Sequence, residues 1–409
     1  MSTPISRRRF AALLGLGAAS AALRPSLVLA QTAAATAPAS NPAIPANTVV
    51  RLSSNENPYG PSPAALDAMR ESLGVAWRYP DERVDALAAV LAKLHGVAPE
   101  QILFGSGSSE ILRAAGTATL APDRPLVLAD STFEAIRRSA KLRGAEIVPV
   151  PLTADFRHDL PKMLAARERA GLIYLCNPNN PTGSLTPKAE VRTFLSQVPK
   201  ETTVLIDEAY FHFANSPDYE TVIPLVAQYP NLIVARTFSK IYGLAGMRLG
   251  YAVAQAGTIE RLAAEQAWDN VNVAVIEAAR ASLADGAYIE KTKRLLLESR
   301  RTTMAALEAK GLRTIPSSTN FFMVDLKKDV RPVIAGLKKK GVEVGRFFPA
   351  LPNHLRVTVG TGPQMERFLG AFGVVVGCGG YPARRPGSRV ASFGRRPSVR
   401  DEHRQPFEL

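Results

Sequence analysis

Lys240 ends the string Leu232-Ile233-Val234-Ala235-Arg236-Thr237-Phe238-Ser239-Lys240, and Arg248 stands eight residues beyond it. A lysine amine is a nucleophile that forms a Schiff base with a carbonyl compound. The hydroxyls of Thr237 and Ser239 and the Arg248 guanidinium are groups that hold a phosphate dianion. Gly243 and Gly246 lie between them and let the backbone bend close to a ligand. The bland alternative is a basic surface loop with a solvated lysine. Hydroxyls, glycines and arginine packed into one short segment argue against it.

Three other segments carry the same kind of signal. Thr203-Val204-Leu205-Ile206 runs directly into Asp207-Glu208-Ala209-Tyr210. An acid placed after an apolar strand either faces a ligand or caps a helix, since Asp is favoured at both. Cys176-Asn177-Pro178-Asn179-Asn180-Pro181-Thr182-Gly183 follows another apolar run. Its composition is that of a turn, and a turn there can present the Asn180 amide to a ligand. Gly105-Ser106-Gly107-Ser108-Ser109 opens a helical pattern, where exposed N–H groups attract phosphate or simply form a cap.

These segments need a scaffold. Pro63 to Leu73 and Arg83 to His95 have helical spacing. Short apolar runs at 101–104, 125–128, 146–149, 171–175, 203–206 and 232–235 alternate with helical stretches. That alternation predicts an α/β domain with a mainly parallel sheet, whose strand ends carry the candidates above. Beyond about residue 280 come a charged helix pattern, Lys291 to Lys310, and strands at Phe321 to Val324 and Leu355 to Val359. They predict a smaller α+β domain.

The chain has 409 residues, 46% hydrophobic and 21% charged, which suits a soluble globular protein of more than one domain. The net charge of +14 comes largely from Arg7 to Arg9 and from arginines beyond residue 383. Its middle has no basic stripe interleaved with aromatics, so nucleic acid is not an expected partner. Cys176 and Cys378 lack metal-ligand spacing, and no metal is expected. Cys176 reads as a small buried filler.

In combination, Asn55-Glu56-Asn57-Pro58-Tyr59-Gly60, Arg78-Tyr79-Pro80-Asp81, Asn179-Asn180-Pro181-Thr182-Gly183, Asp207-Glu208-Ala209-Tyr210, Ser239-Lys240 with Arg248, and Leu355-Arg356-Val357-Thr358-Val359-Gly360-Thr361 are highly specific. Over roughly residues 50 to 372 the chain resembles the fold-type I pyridoxal 5′-phosphate (PLP) enzymes, class I/II aminotransferases, on the histidinol-phosphate aminotransferase branch. The resemblance implies a large α-β-α domain with a mainly parallel seven-stranded sheet, plus the smaller α+β domain. It also implies a division into an N-terminal arm joining the small domain (49–79), a large PLP-binding domain (80–279) and a small C-terminal domain (280–376).

The roles follow position by position. Lys240 holds PLP as a Schiff base and shuttles a proton, Asp207 pairs with the pyridine nitrogen, and Tyr210 and Asn180 bond the ring hydroxyl. Thr237, Ser239, Arg248, Ser108 and Ser109 hold the phosphate. Tyr79 reaches a partner subunit's phosphate, which implies a homodimer with shared sites. Phe133 stacks on the ring or is simple core. Arg356 clamps the substrate carboxylate, and Tyr59, Asn320 and Arg346 belong to the substrate side; Tyr59 and Asn320 read equally well as loop structure. Substrates are an amino acid, or a histidinol-phosphate-like amine, and a 2-oxo acid. A PLP-dependent lyase or decarboxylase on the same fold, or a non-catalytic PLP-binding protein, are the alternatives.

Two departures bear on the substrate. Ser131-Thr132-Phe133 replaces the family's Pro-Thr-Tyr. In Val344-Gly345-Arg346-Phe347-Phe348, glycine intervenes where the family often places the arginine that helps read a substrate phosphate. The shift of Arg346, with Phe347 and Phe348 beside it, predicts a free, aromatic amino acid rather than histidinol phosphate. The ends add a location. Ser6-Arg7-Arg8-Arg9-Phe10, the apolar stretch Ala11 to Leu23 and an exit near Ala30 read as a twin-arginine signal peptide over 1–30, too short for a stable membrane span. An uncleaved anchor or amphipathic helix is the alternative. Export of a folded protein suits an enzyme that loads a cofactor first, and makes the expected location periplasmic, or cytoplasmic if the signal is not used. Residues 31–48 read as a linker and 377–409 as a disordered tail.

Overall fold

The computed structural model describes residues 49–166 and 169–377. The expected signal peptide, nearly all of the tail and the linker lie outside the described residues. In chain order the strands are β1 (Val50–Leu52), β2 (Ile102–Gly105), β3 (Leu126–Ala129), β4 (Ile147–Val150), β5 (Leu172–Cys176) and β6 (Thr203–Asp207). They continue with β7 (Leu232–Thr237), β8 (Gly250–Val253), β9 (Arg313–Thr314), β10 (Phe321–Asp325), β11 (Val342–Val344) and β12 (His354–Thr358).

Seven strands form one sheet in the order β2-β8-β7-β6-β5-β3-β4. The pairs from β4 through β3, β5 and β6 to β7 are parallel, and only β8 runs against its neighbours β7 and β2. This is the mainly parallel sheet of the expected α/β fold. Strands β5, β6 and β7 are buried along their whole length, so both faces are covered. The period of two sends alternate side chains to different cores. Leu172, Tyr174, Cys176, Leu205 and Ile233 pack with Ile111 and Leu112 of the helix Ser108–Thr119. Ile173, Leu175, Val204, Ile206 and Val234 pack with Leu87 and Leu91 of Asp81–His95 and Phe194 of Lys188–Gln197. The result is three layers with the sheet in the middle.

Local signals set several helix ends. Ser62 caps Pro63–Ser72 by accepting from the Ala65 N–H, and Gly96 ends Asp81–His95 in the left-handed conformation at φ +67°. The long charged helix runs over Gly286–Glu308, starting before the expected Lys291 because Asp285 caps it through the Tyr288 N–H. Past it, β12-β10-β9 form an antiparallel sheet, and β1 pairs in parallel with β11, Val50 opposite Val342. Among the described residues no helix is long and apolar enough to cross a membrane.

Candidate active site

The carboxyl ends of β5, β6 and β7 open into a cleft of about 600 Å³. Register puts Cys176 opposite Asp207, and Asp207 opposite Ala235, two residues before Thr237. Three sequence-distant segments are thereby brought to one edge.

Asp207 is buried at the cleft floor. Its Oδ2 accepts from the Tyr174 hydroxyl at 3.0 Å and its Oδ1 from the Ala209 N–H at 3.0 Å. Burial outweighs both bonds and raises its pKa to about 6. Lys240 follows β7 on the loop; its Nζ lies 3.5 Å from the Ser54 carbonyl and 5.5 Å from the Tyr210 ring centroid. Desolvation, aided by Arg356, lowers its pKa to about 8, while Asp207 and Glu56 pull the other way. Tyr210 accepts from the Asn55 amide at 3.0 Å and the Asn180 amide at 3.3 Å. Burial raises its pKa, so it keeps its proton, and with two donors already on the oxygen that proton is free for an acceptor in the cleft.

A second group forms an anion cradle. The helix Ser108–Thr119 begins at Gly107, which has no side chain to cap it. A helix start of this kind favours an anion. Arg248 leans over it, its Nη1 donating to Ala245 O at 2.9 Å and lying 3.4 Å from Ser239 Oγ. Arg248 holds φ +62°, a strained setting for a residue with a side chain. The Thr237 hydroxyl accepts from the Ser239 N–H at 3.0 Å. Glycine is required at 250: a Cβ there would stand 2.2 Å from the Ser108 backbone nitrogen.

Arg356, on β12, reaches the cleft from the other side. Its Nη1 donates to Asn180 Oδ1 at 2.8 Å and its Nη2 to Ser53 O at 2.7 Å, but its buried Nε has no hydrogen-bond partner. A buried donor left unpaired is costly unless a ligand takes it. Burial also lowers this guanidinium's pKa to about 10.

Of the expected site residues, Lys240, Asp207, Tyr210, Asn180, Thr237, Ser239, Arg248, Ser108, Ser109, Phe133, Arg346 and Arg356 all line this cleft. Three do not. Tyr79 is 79% exposed and lies with Trp77 and Arg78 in a separate hollow. The Tyr59 carbonyl accepts from the Tyr288 hydroxyl, and its ring packs on the core. Asn320 donates its amide to the carbonyls of Asn55 and Glu56, so within the chain it holds the loop that carries them. Sequence reasoning passed over Asn55, Tyr174 and Glu134. Asn55 heads the string Asn55-Glu56-Asn57-Pro58-Tyr59-Gly60 but was given no role; it sits at φ +56°, a conformation asparagine tolerates better than most. Tyr174 was read as part of an apolar run, although its parity with Cys176 aims it at the face that Asp207 uses.

The family model for class I and II aminotransferases matches residues 47–372. The histidinol-phosphate aminotransferase of Symbiobacterium thermophilum is 40% identical over 335 residues, covering 81% of this chain and 91% of the relative. That of Brevibacillus brevis is 38% identical over 331 residues, 80% and 90% of the two chains. Among solved structures, the histidinol-phosphate aminotransferase of Sinorhizobium meliloti in complex with pyridoxal 5′-phosphate superposes with a TM-score of 0.77 at 32% identity, covering 81% of this chain and 91% of that one.

Proposed function

Because this chain belongs to the class I and II aminotransferases, a PLP-dependent transaminase family, we propose that Lys240 holds PLP and that Arg356 receives the substrate's anionic group, an amino acid carboxylate. When bound, the cofactor supplies an electron sink for the substrate α-carbon. The residues present fit it. Asp207, held near pKa 6 by burial, is relieved by a protonated ring nitrogen. The free Tyr210 proton suits an anionic ring oxygen, with Asn55 and Asn180 fixing the phenol. Arg248, Ser239, Thr237 and the first turn from Ser108 and Ser109 suit a phosphate dianion. Phe133 offers its ring to the aromatic face. Lys240, with an amine near pKa 8, can both give and take a proton close to neutral pH.

The observation that carries the substrate side is the unpartnered Arg356 Nε. A carboxylate accepts it together with one of the other guanidinium nitrogens in a planar fork. Arg356→Lys keeps the charge and loses the fork. It is expected to raise the amino acid KM about tenfold to a hundredfold, with a smaller change in kcat, in steady-state assays. An unchanged KM removes Arg356 from the role.

A homodimer and export complete the reading. Leu73, Trp77, Tyr79 and Trp268 are exposed on the described chain, a costly display of large apolar side chains that a second copy would cover. Tyr79 would then serve the partner's cleft rather than its own. The Arg7 to Arg9 cluster and the apolar stretch behind it support twin-arginine export to the periplasm. Fractionating the producing cells and measuring the enzyme's mass in solution tests both. A dimer in the periplasmic fraction is expected; a cytoplasmic monomer would defeat both.

A further inference from the structure

Charge in the cleft does not balance for every substrate, and the residue responsible is one the sequence reading did not select. Three arginines line it, Arg248, Arg346 and Arg356, with the carboxylates of Glu56, Glu134 and Asp207. On the reading above, Arg248 belongs to the cofactor phosphate, Asp207 to the ring nitrogen and Arg356 to the substrate anion. With Lys240 also given to the cofactor, Arg346 is the remaining cation among the described residues lining the cleft that could add to Arg356.

It is already engaged. Arg346 Nη2 lies 2.7 Å from Glu134 Oε2, both side chains being 53% exposed. Its Nη1 donates to Phe347 O at 3.0 Å. The guanidinium carbon stands 4.4 Å from the Phe348 ring centroid, and that of Arg356 stands 5.1 Å from the same ring. Phe348 therefore has both arginines against it, and Glu134 holds the outer one by its charge.

Gly345 explains the placement. A Cβ at 345 would stand 2.8 Å from the Arg356 carbonyl oxygen, 2.9 Å from its Cβ and 3.1 Å from its Nε. Any side chain there presses on the anion-binding arginine. Arg346 stands one position later, where Glu134 meets it.

We propose that Glu134 is a specificity-determining residue: by engaging Arg346 it leaves Arg356 alone at the substrate anion, so that the cleft takes the monoanionic carboxylate of an amino acid and discriminates against amines that carry a phosphate dianion in its place. One guanidinium matches one carboxylate in charge and in its two-pronged geometry. A phosphate dianion leaves one charge uncompensated beside the Glu134 and Glu56 carboxylates. Histidinol phosphate, for which the relatives are named, is such an amine. This inference rests on the proposed role of Arg356 and adds the choice between two anions.

The test compares kcat/KM for phenylalanine and for histidinol phosphate, each with a 2-oxo acid acceptor, using the PLP-loaded enzyme. The wild type is expected to prefer phenylalanine. Glu134→Gln releases Arg346 and is expected to shift the ratio toward histidinol phosphate by about tenfold, the scale of one hydrogen bond to a charged group. In the double variant Glu134→Gln, Arg346→Gln that gain is lost, which ties it to the guanidinium rather than to a general loosening of the cleft. Arg346→Gln alone is expected to keep histidinol phosphate the poorer substrate. A wild-type preference for histidinol phosphate, or a ratio unmoved in Glu134→Gln, overturns the inference and leaves the transaminase reading standing. No turnover of either donor, or of any other amino acid, overturns the proposed carboxylate role of Arg356 and the inference with it.

Discussion

Lys240→Ala is expected to abolish transamination, by at least about 10⁴-fold, while the protein still binds PLP without a covalent link. On the proposed reading the amine has two tasks, as the cleft nucleophile and as the base that would exchange a proton at the substrate α-carbon. Asp207 and Arg248 keep their positions without it, because their hydrogen bonds to Tyr174, Ala209 and Ala245 do not involve the Lys240 amine. Borohydride reduction followed by denaturation reads the difference. The cofactor should remain attached to the wild type and be released from the variant. Persistent turnover in Lys240→Ala would refute the assignment.

The same amine predicts a pH dependence. Its pKa is lowered to about 8 because burial disfavours the ammonium form, with Arg356 adding repulsion. A lysine is a nucleophile only when neutral, so cofactor capture by the cofactor-free enzyme should rise with pH up to about 8 and then level off. An ordinary exposed lysine would keep accelerating toward about pH 10.4. Stopped-flow capture rates across this range decide between the two.

Asp207→Asn is expected to lower kcat/KM by roughly 10²- to 10⁴-fold, the scale of about 3–5 kcal/mol lost when one partner of a buried charge pair is removed. The amide still fills the space and can still accept the Tyr174 hydroxyl, so the fold should survive. What disappears is the negative charge that, on the proposed reading, would keep a ring nitrogen protonated. The carboxylate also links to stability. Its folded pKa is raised to about 6 from 3.8, so its favourable contribution is present below the unfolded value and is lost as pH rises through about 6. At neutral pH the cofactor-free protein therefore carries a buried anion that Tyr174, Ala209 and Lys240 only partly compensate. A ring cation compensates it, so the rise in Tm on adding PLP should be larger at neutral than at mildly acidic pH. In Asp207→Asn this contribution to the pH dependence should vanish. A PLP-induced Tm shift with the same pH dependence in wild type and variant would show that Asp207 does not face the ring nitrogen.

The site separates into a part written in short strings and a part assembled from distant ones. Lys240, Asp207 and Asn180 were legible because each closely follows an apolar run, and the ends of parallel strands share one edge of the sheet; Arg248 was legible from its spacing of eight residues from Lys240. Helices were legible where their caps are local, as at Ser62 and Gly96. Glu134 was not legible. It stands in the loop before a helix, more than two hundred positions from Arg346, and neither sequence neighbourhood names the other. Tyr59 and Asn320 carry the family's residue types, yet in this chain they hold the loop around Asn55 and Gly60 instead of lining the cleft.

Lys240 as a reactive amine beside phosphate-holding groups, the alternating α/β order and six of the seven strands of the sheet were legible in the sequence alone; β8 was not among the apolar runs. The reason is that hydrophobic period and turn chemistry act over a few residues. The tertiary structure decided which partners set the chemistry. It placed Tyr174 on Asp207, Asn55 on Tyr210 and Glu134 on Arg346, and it buried Lys240 deeply enough to bring its amine to about pKa 8. Such shifts arise from desolvation and from charges close in space. Both depend on how the layers pack, which no local string of residues specifies.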